Sequence, residues 1–173
     1  MEASKVSDSG STKNTTAERK SDRELVVTRT FNAPARAVFD AWTKPELMTQ
    51  WWVPKSIVGL KLAKCEMDVR VGGGYRFTFK FDHDPSKEMA FFGKYLEVQP
   101  FSRLVWTNEE NDHGGAITTV TFEEKGGKTY LVMHDLYPSK EALDEAIASG
   151  STGGTSETFE QLEELLGTLA QRS

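Results

Sequence analysis

Cysteine is nearly absent: Cys65 is the only one in 173 residues, so no internal disulfide framework holds this fold. No apolar run approaches the ~18–20 residues that a membrane-spanning helix needs. Basic residues are in deficit, 21 Lys and Arg against 26 Asp and Glu, for a net charge of −5. Phosphate neutralisation supplies most nucleic-acid affinity, so an acidic chain without a basic stripe is a poor nucleic-acid binder. Histidine is scarce at three. The one place where ligand types crowd, Asp82-His83-Asp84, runs into Pro85 and reads as a solvated turn, so neither metal nor cofactor is expected. Gly72-Gly73-Gly74 is followed by no lysine and no helix start, which excludes a phosphate loop. No nucleophile-elbow pattern is present, and nothing specifies catalysis.

The first 23 residues lack large apolar side chains, with only Val6 after Met1. Such a segment does not bury enough surface to offset the entropy of ordering it. Residues 1–22 are therefore expected to be a disordered polar tail, with one folded domain over residues 23–173. The tail has no apolar core of a secretory signal and too many acidic residues for a transit peptide, so a cytoplasmic location is expected.

What remains is patterned. Glu24–Thr30 reads as a strand, and Asn32-Ala33-Pro34 starts a helix whose apolar face is Val38, Phe39 and Trp42. Thr43-Lys44-Pro45-Glu46 has the form of a capping box and predicts a second short helix to about Trp51. From Ala63 the period becomes two. Tyr75, Phe77, Phe79 and Phe81 fall on one face of the clearest strand, with Arg76, Thr78 and Lys80 on the other. Further strands are expected over Met89–Val98, Arg103–Thr107, Ala116–Glu124 and Lys128–Leu136, joined by short connections and so antiparallel. Phe159, Leu162, Leu165, Leu166 and Leu169 make an apolar stripe on a final helix capped by Thr155 or Ser156. A sheet of about seven strands is wider than one helix and must curl around it, aided by Gly72–Gly74 and Gly93. Interior space between sheet and helix is where small molecules bind in such an arrangement.

This α+β order resembles the helix-grip fold of the START-like, birch-pollen-allergen-like (SRPBCC) superfamily. Within it the chain is similar to the group named after the C-terminal domain of the 90-kDa heat-shock chaperone's ATPase activator. The pieces that carry the resemblance are Phe31–Trp42 (FNAPARAVFDAW), Trp51–Pro54 (WWVP), Met67–Gly73 (MDVRVGG), Phe92–Tyr95 (FGKY) and Arg103–Trp106 (RLVW). It implies a curved antiparallel sheet wrapped on a long C-terminal helix, with two short helices after strand one. The scaffold hosts carriers, cyclases, hydroxylase domains and co-chaperones, so it does not itself fix activity.

Three functions are expected from this reading. The first is binding of a small hydrophobic or amphipathic ligand, lipids included, by a monomer or weak dimer acting as carrier or sensor. The second, implied by the resemblance, is a stress-response module acting on the chaperone as protein partner. The third is a cyclase- or hydrolase-type enzyme that needs an acid or base such as His134 or Glu97 inside. Candidate lining residues are Trp52, one indole of the Trp51-Trp52 pair, and Phe77, Phe79, Tyr95, Trp106, Leu131 and Met133 on the strands. Phe159, Leu162 and Leu166 join them from the last helix, with Arg70 and His134 as polar groups to orient a head group. Each aromatic or aliphatic residue in this set has an alternative role as plain core.

Overall fold

The computed structural model describes residues 15–109, 115–148 and 155–172. Within them, in chain order, come β1 (Thr16–Arg19), β2 (Glu24–Phe31), α1 (Ala35–Thr43), α2 (Pro45–Met48), β3 (Leu60–Met67) and β4 (Gly74–Phe81). β5 (Asp84–Gln99), β6 (Arg103–Thr107), β7 (Ile117–Lys125), β8 (Lys128–Leu136), α3 (Lys140–Ala148) and α4 (Thr155–Arg172) follow. The strands form one antiparallel sheet in the order β1-β2-β8-β7-β6-β5-β4-β3, curled around α4. Much of the expected polar loop over residues 108–115, and the break at 150–154, lie outside the described residues.

The sheet has eight strands rather than about seven, and the additional one is a correction to the expected tail. Thr16–Arg19 pairs with β2 from Thr16 opposite Thr28 to Arg19 opposite Leu25. Its sequence is polar and carries no period, but an edge strand needs only backbone partners, and β2 supplies them. Ala17 is buried, and the Thr15 hydroxyl accepts a hydrogen bond from Arg29 Nη1 at 2.9 Å. The folded part therefore includes residues 15–22; residues 1–14 lie outside the described set.

The capping box is a second correction. Thr43 is the last residue of α1, and its hydroxyl donates to the Phe39 carbonyl at 2.9 Å. Pro45 pushes the residue before it out of the helical region, and Lys44 is extended at φ −108°, ψ 122°. Lys44 thus becomes the N-cap of a helix that ends at Met48. At the start of α1, Pro34 provides no side-chain cap; a carboxylate from β7 does so instead, the Ala35 N–H donating to Glu124 Oε1 at 2.9 Å.

β5 is the hinge of the sheet. Its first part pairs with β4, ending at Gly74 opposite Lys94, and its last part pairs with β6 from Tyr95 opposite Trp106. Irregular register between Tyr95 and Glu97 marks the changeover, as a bulge that bends the strand. Two wings result: β3, β4 and the start of β5 on one side, and the end of β5 through β6, β7, β8, β2 and β1 on the other. Gly93 lies at the fold between them, where a Cβ would stand 2.0 Å from the Thr107 carbonyl oxygen. Only glycine lets the two backbones come this close.

The core fills the space between the second wing, α1 and α4. Trp42, Trp51, Phe31, Phe159, Leu104, Leu131 and Leu162 are essentially inaccessible. α4 is tied to the sheet by Arg29, a buried guanidinium whose Nη1 and Nη2 meet Glu160 and Glu163 at 3.1 and 3.3 Å.

Candidate functional site

Trp42 sits at the centre of the interior, with ring centroids of Trp51, Trp106, Phe159 and Trp52 at 4.9, 5.8, 6.1 and 6.2 Å. The two indoles after α2 behave differently. Trp51 is fully buried and its Nε1 donates to the Ala41 carbonyl at 2.9 Å. Trp52 is half-buried, with its ring edge-on to Phe77 at 5.6 Å. Its position is set from α4. Gln161 Nε2 donates to the carbonyls of Trp51 and Val53 at 3.0 and 2.9 Å, and its Oε1 accepts the Lys55 N–H at 2.8 Å. Glu157 accepts from the Ser56 N–H and hydroxyl at 2.9 and 2.5 Å. Neither Gln161 nor Glu157 was identifiable from sequence as a residue that positions Trp52; each is one of many polar residues on an amphipathic helix.

Trp52 marks the border of an open apolar surface. Cross-strand partners share a face. Leu60, Leu62, Cys65 and Met67 lie opposite Phe81, Phe79, Phe77 and Tyr75, and the last three of these lie opposite Met89, Phe91 and Gly93 in turn. The other face of the same strands carries Lys61, Lys64 and Glu66, with Arg76 and Lys80 alongside. Tyr75, Phe77 and Phe79 at the centre of the inner face are buried, while Leu60, Leu62, Cys65, Met67, Phe81, Met89 and Phe91 around them are only half-buried. The first wing thus presents a concave apolar trough walled by Trp52. Burial in it pushes the Cys65 thiol up to about 11.

The expected lining residues divide into three groups. Phe77, Phe79, Tyr95 and Trp106 share the inner face and join Trp52 in one continuous cluster. Leu131, Phe159, Leu162 and Leu166 are on the inside but in packed core, each with 2% or less of its surface accessible. Met133, next to Leu131 along the inner face of β8, is half-buried.

The two polar candidates are corrections. Arg70 is exposed in the turn after β3, with its Nε on Asp68 at 3.0 Å. His134 lies on the outer face of β8, where its Nε2 meets Glu24 Oε2 at 2.8 Å and holds that carboxyl below its usual range. Glu97, the other acid considered, pairs at the surface with Arg103 and with Gln99. Strand parity explains the His134 outcome: its inward neighbours are Met133 and Asp135, a single residue away.

The interior acid is Asp135. A chain of donors leads to it from the trough. The single Tyr75 hydroxyl proton goes to the Thr107 carbonyl at 2.8 Å, with Asn108 Oδ1 a longer alternative acceptor at 3.2 Å. Asn108 Nδ2 donates to Thr118 Oγ1 at 3.0 Å and to the Ala116 carbonyl at 2.7 Å, and Thr118 Oγ1 donates to Asp135 Oδ1 at 2.6 Å. Burial pushes the Asp135 carboxyl up to about 6, opposed by the Thr118 hydrogen bond and the His134 charge. Two buried side-chain donors, Arg29 Nε and Trp42 Nε1, have no hydrogen-bond partner among the described residues.

A separate surface hollow of about 500 Å³ lies at the Gly72–Gly74 end of the first wing, lined mainly by outer-face and turn residues including Asp68, Arg76, Lys94 and Glu109. Among the described residues no three His, Cys, Asp or Glu side chains converge as metal ligands, and no helix is long and apolar enough to cross a membrane.

Comparison with known proteins fits this geometry. A crystal structure of a Rhodobacter sphaeroides protein superimposes with a TM-score of 0.79 at 22% identity, covering 90% of this chain and 99% of that one. A solution structure from Staphylococcus epidermidis gives 0.71 at 28% identity, covering 87% and 93%. The Activator of Hsp90 ATPase homolog 1-like protein of Aeromonas hydrophila gives 0.63 at 16% identity, covering 84% and 94%. No curated protein matches the sequence. The sequence model of the Activator of Hsp90 ATPase homolog 1-like proteins matches residues 32–167, and the chain belongs to that family.

Proposed function

We propose that this protein is a cytoplasmic carrier or sensor that binds a small hydrophobic or amphipathic molecule along the inner face of its first wing. The observation that carries this reading is the half-buried ring of Leu62, Cys65, Met67, Met89 and Phe91 around a buried aromatic centre, bordered by Trp52. Apolar side chains held on a concave sheet and left partly in water gain free energy from any apolar occupant. Covering ~300 Å² of apolar surface contributes about 7 kcal/mol gross. Association costs of several kcal/mol leave affinity weaker than micromolar for an occupant of that area, since 1 μM corresponds to about 8 kcal/mol net. Met67 and Met89 are flexible enough to adapt the surface to ligands of different shape.

The ligand approaches from the first-wing side, because Leu131, Phe159 and Leu162 leave no room between the second wing and α4. The test is an amide-resonance titration of labelled protein with fatty acids, fatty alcohols, sterols, flavonoids and polyketide-like aromatics. Saturable shifts at Trp52, Cys65, Met67 and Phe77 support the reading. A flat response across the panel overturns it and leaves the activator role named in the family's description, which binding to the purified Hsp90 chaperone would then test.

A further inference from the structure

The segment that leads from Trp52 into β3 is basic and apolar at once. Residues 55–64 (KSIVGLKLAK) hold three lysines and no acid, in a chain whose net charge is −5. Within them Val58 is 87% exposed and Ile57 46%. These two are consecutive, whereas the other exposed large apolar residues among those described, Val71, Leu96, Phe101, Tyr130 and Leu136, stand singly in the chain. A lone apolar residue at a surface is ordinary; a pair held out on a loop marks a contact with an apolar partner.

The loop that carries the pair is anchored on both sides of it. From α4, Gln161 holds the Val53 carbonyl and the Lys55 N–H, and Glu157 holds Ser56 by its N–H and hydroxyl. Beyond the pair, the Gly59 carbonyl accepts the Asp82 N–H at 2.9 Å, and Gly59 itself takes φ 84°, a conformation that favours glycine. Ile57 and Val58 form the tip between these anchors. β3 then begins at Leu60, half-buried at the end of the trough, so the exposed pair borders the apolar inner face.

The charges beside the tip are an independent observation. β3 is the edge strand of the sheet, and its outer face carries Lys61 and Lys64, neither with a carboxylate partner among the described residues. Lys61 stands directly opposite Lys80, a like-charge pair that destabilises a sheet and that a plane of anions relieves. Lys55 is 3.9 Å from Glu164, with both side chains 74% exposed, a pair that contributes little. The acids nearby are Asp82 and Asp84 at the β4–β5 turn, Glu88 on Lys80 at 3.7 Å, Glu157 on Ser56, and Glu66 toward the other end of β3.

We propose that this tip and the lysines of β3 dock the protein on an anionic bilayer surface. Ile57 and Val58 enter the boundary between headgroups and acyl chains, and Lys55, Lys61 and Lys64 lie among the headgroups. Apolar side chains flanked by lysines suit that boundary, where aliphatic stems lie against lipid and ammonium groups reach phosphate. A second copy of this chain is a poor occupant, because two such basic faces repel. Docked in this way, the protein exchanges an apolar ligand with the bilayer from the end of the trough at Leu60. That exchange rests on the hydrophobic-ligand reading; the docking surface does not.

Flotation of the full chain with phosphatidylcholine vesicles, with and without phosphatidylserine, tests this. Each lysine near an anionic surface contributes about fivefold, so vesicles containing phosphatidylserine are expected to bind at least about tenfold more tightly, less so as salt is raised. Val58→Asp is expected to weaken binding at least about tenfold, and Lys61→Glu with Lys64→Glu to remove the preference for anionic lipid. Val58 is too exposed for its replacement to unsettle the fold, which unchanged thermal unfolding checks. In the unaltered protein, amide hydrogen exchange over residues 55–64 is expected to slow on vesicles. Absent flotation, equal flotation on both vesicles, or flotation indifferent to Val58→Asp overturns the docking surface, as does a dimer in sedimentation velocity that Val58→Asp abolishes. The trough reading then still stands on the amide-resonance titration. Docking that Val58→Asp abolishes, with a trough silent in that titration, supports the surface and overturns the carrier.

Discussion

Glu163 of α4 is held from β2 and the residue that follows it by both of its oxygens: Oε1 meets Arg29 Nη2 at 3.3 Å, and Oε2 accepts the Asn32 N–H at 3.0 Å. Arg29 is buried, whereas Glu160, its other carboxylate, is about half exposed. Glu163→Ala therefore removes two interactions and leaves a buried guanidinium short of a partner, at about 2 kcal/mol. Glu160→Ala is expected to cost under about 1 kcal/mol, because an exposed pair contributes little. Urea unfolding of the two variants compares them, and equal losses would remove Glu163 as the lock on α4.

Two glycines give opposite expectations from the same substitution. Gly93→Ala places a Cβ 2.0 Å from the Thr107 carbonyl oxygen, where only a backbone shift relieves the contact. It is expected to destabilise by at least about 2 kcal/mol and to disturb resonances in both wings. Gly167, inside α4, has nothing within 4 Å of an added Cβ. Gly167→Ala is expected to stabilise by about 0.5–1 kcal/mol. Thermal unfolding of both variants checks the pair.

Asp135 makes stability depend on pH in a direction opposite to most carboxylates. Its carboxyl titrates near 6 when folded against an ordinary 3.8, so between these values the folded state holds the additional proton. By linkage, stability falls as pH rises from about 4 to 6 and stays lower above that, by about 3 kcal/mol at most. The groups around it are Thr118 on β7, the ring of Tyr137 beyond β8, and His134 on the far face paired with Glu24 of β2. Asp135→Asn removes the effect and is expected to be more stable than the parent at pH 7, with no gain at pH 4. A parent and variant with the same pH profile would show that the carboxyl is not enclosed.

Cys65 reports on the trough without any substitution. With its thiol pushed up to about 11 by burial, only about a thousandth is thiolate at pH 8. Alkylation in the folded protein should be slow, faster by orders of magnitude in urea, and slowed several-fold further by a saturating ligand. Ligand binding with no protection of Cys65 would move the site away from β3.

The architecture was legible because each strand of the meander announces itself by alternation, as in Tyr75, Phe77, Phe79 and Phe81, and the connections by glycine and proline. β1 was not legible: Thr16–Arg19 has no period, and its place depends on the free edge of β2. The aromatic half of the site was legible for the same reason as the fold, since residues of one parity must face α4. The polar half was not. His134 and Asp135 are adjacent and both polar, and the register of β8 with β2 and β7 decides which turns inward. Asn108 and Thr118 become one chain only when β6 and β7 pair, a contact that local sequence does not encode.

The most direct measurement is a set of intermolecular NOEs between a protonated decyl chain and labelled methyl groups in an otherwise deuterated protein. Contacts from the chain to Leu62, Met67 and Met89, with silence from Leu131 and Leu162, are expected if the first wing holds the ligand. NOEs to Leu131 and Leu162 without the trough methyls would place it in the packed interior beneath α4 and contradict the site described above.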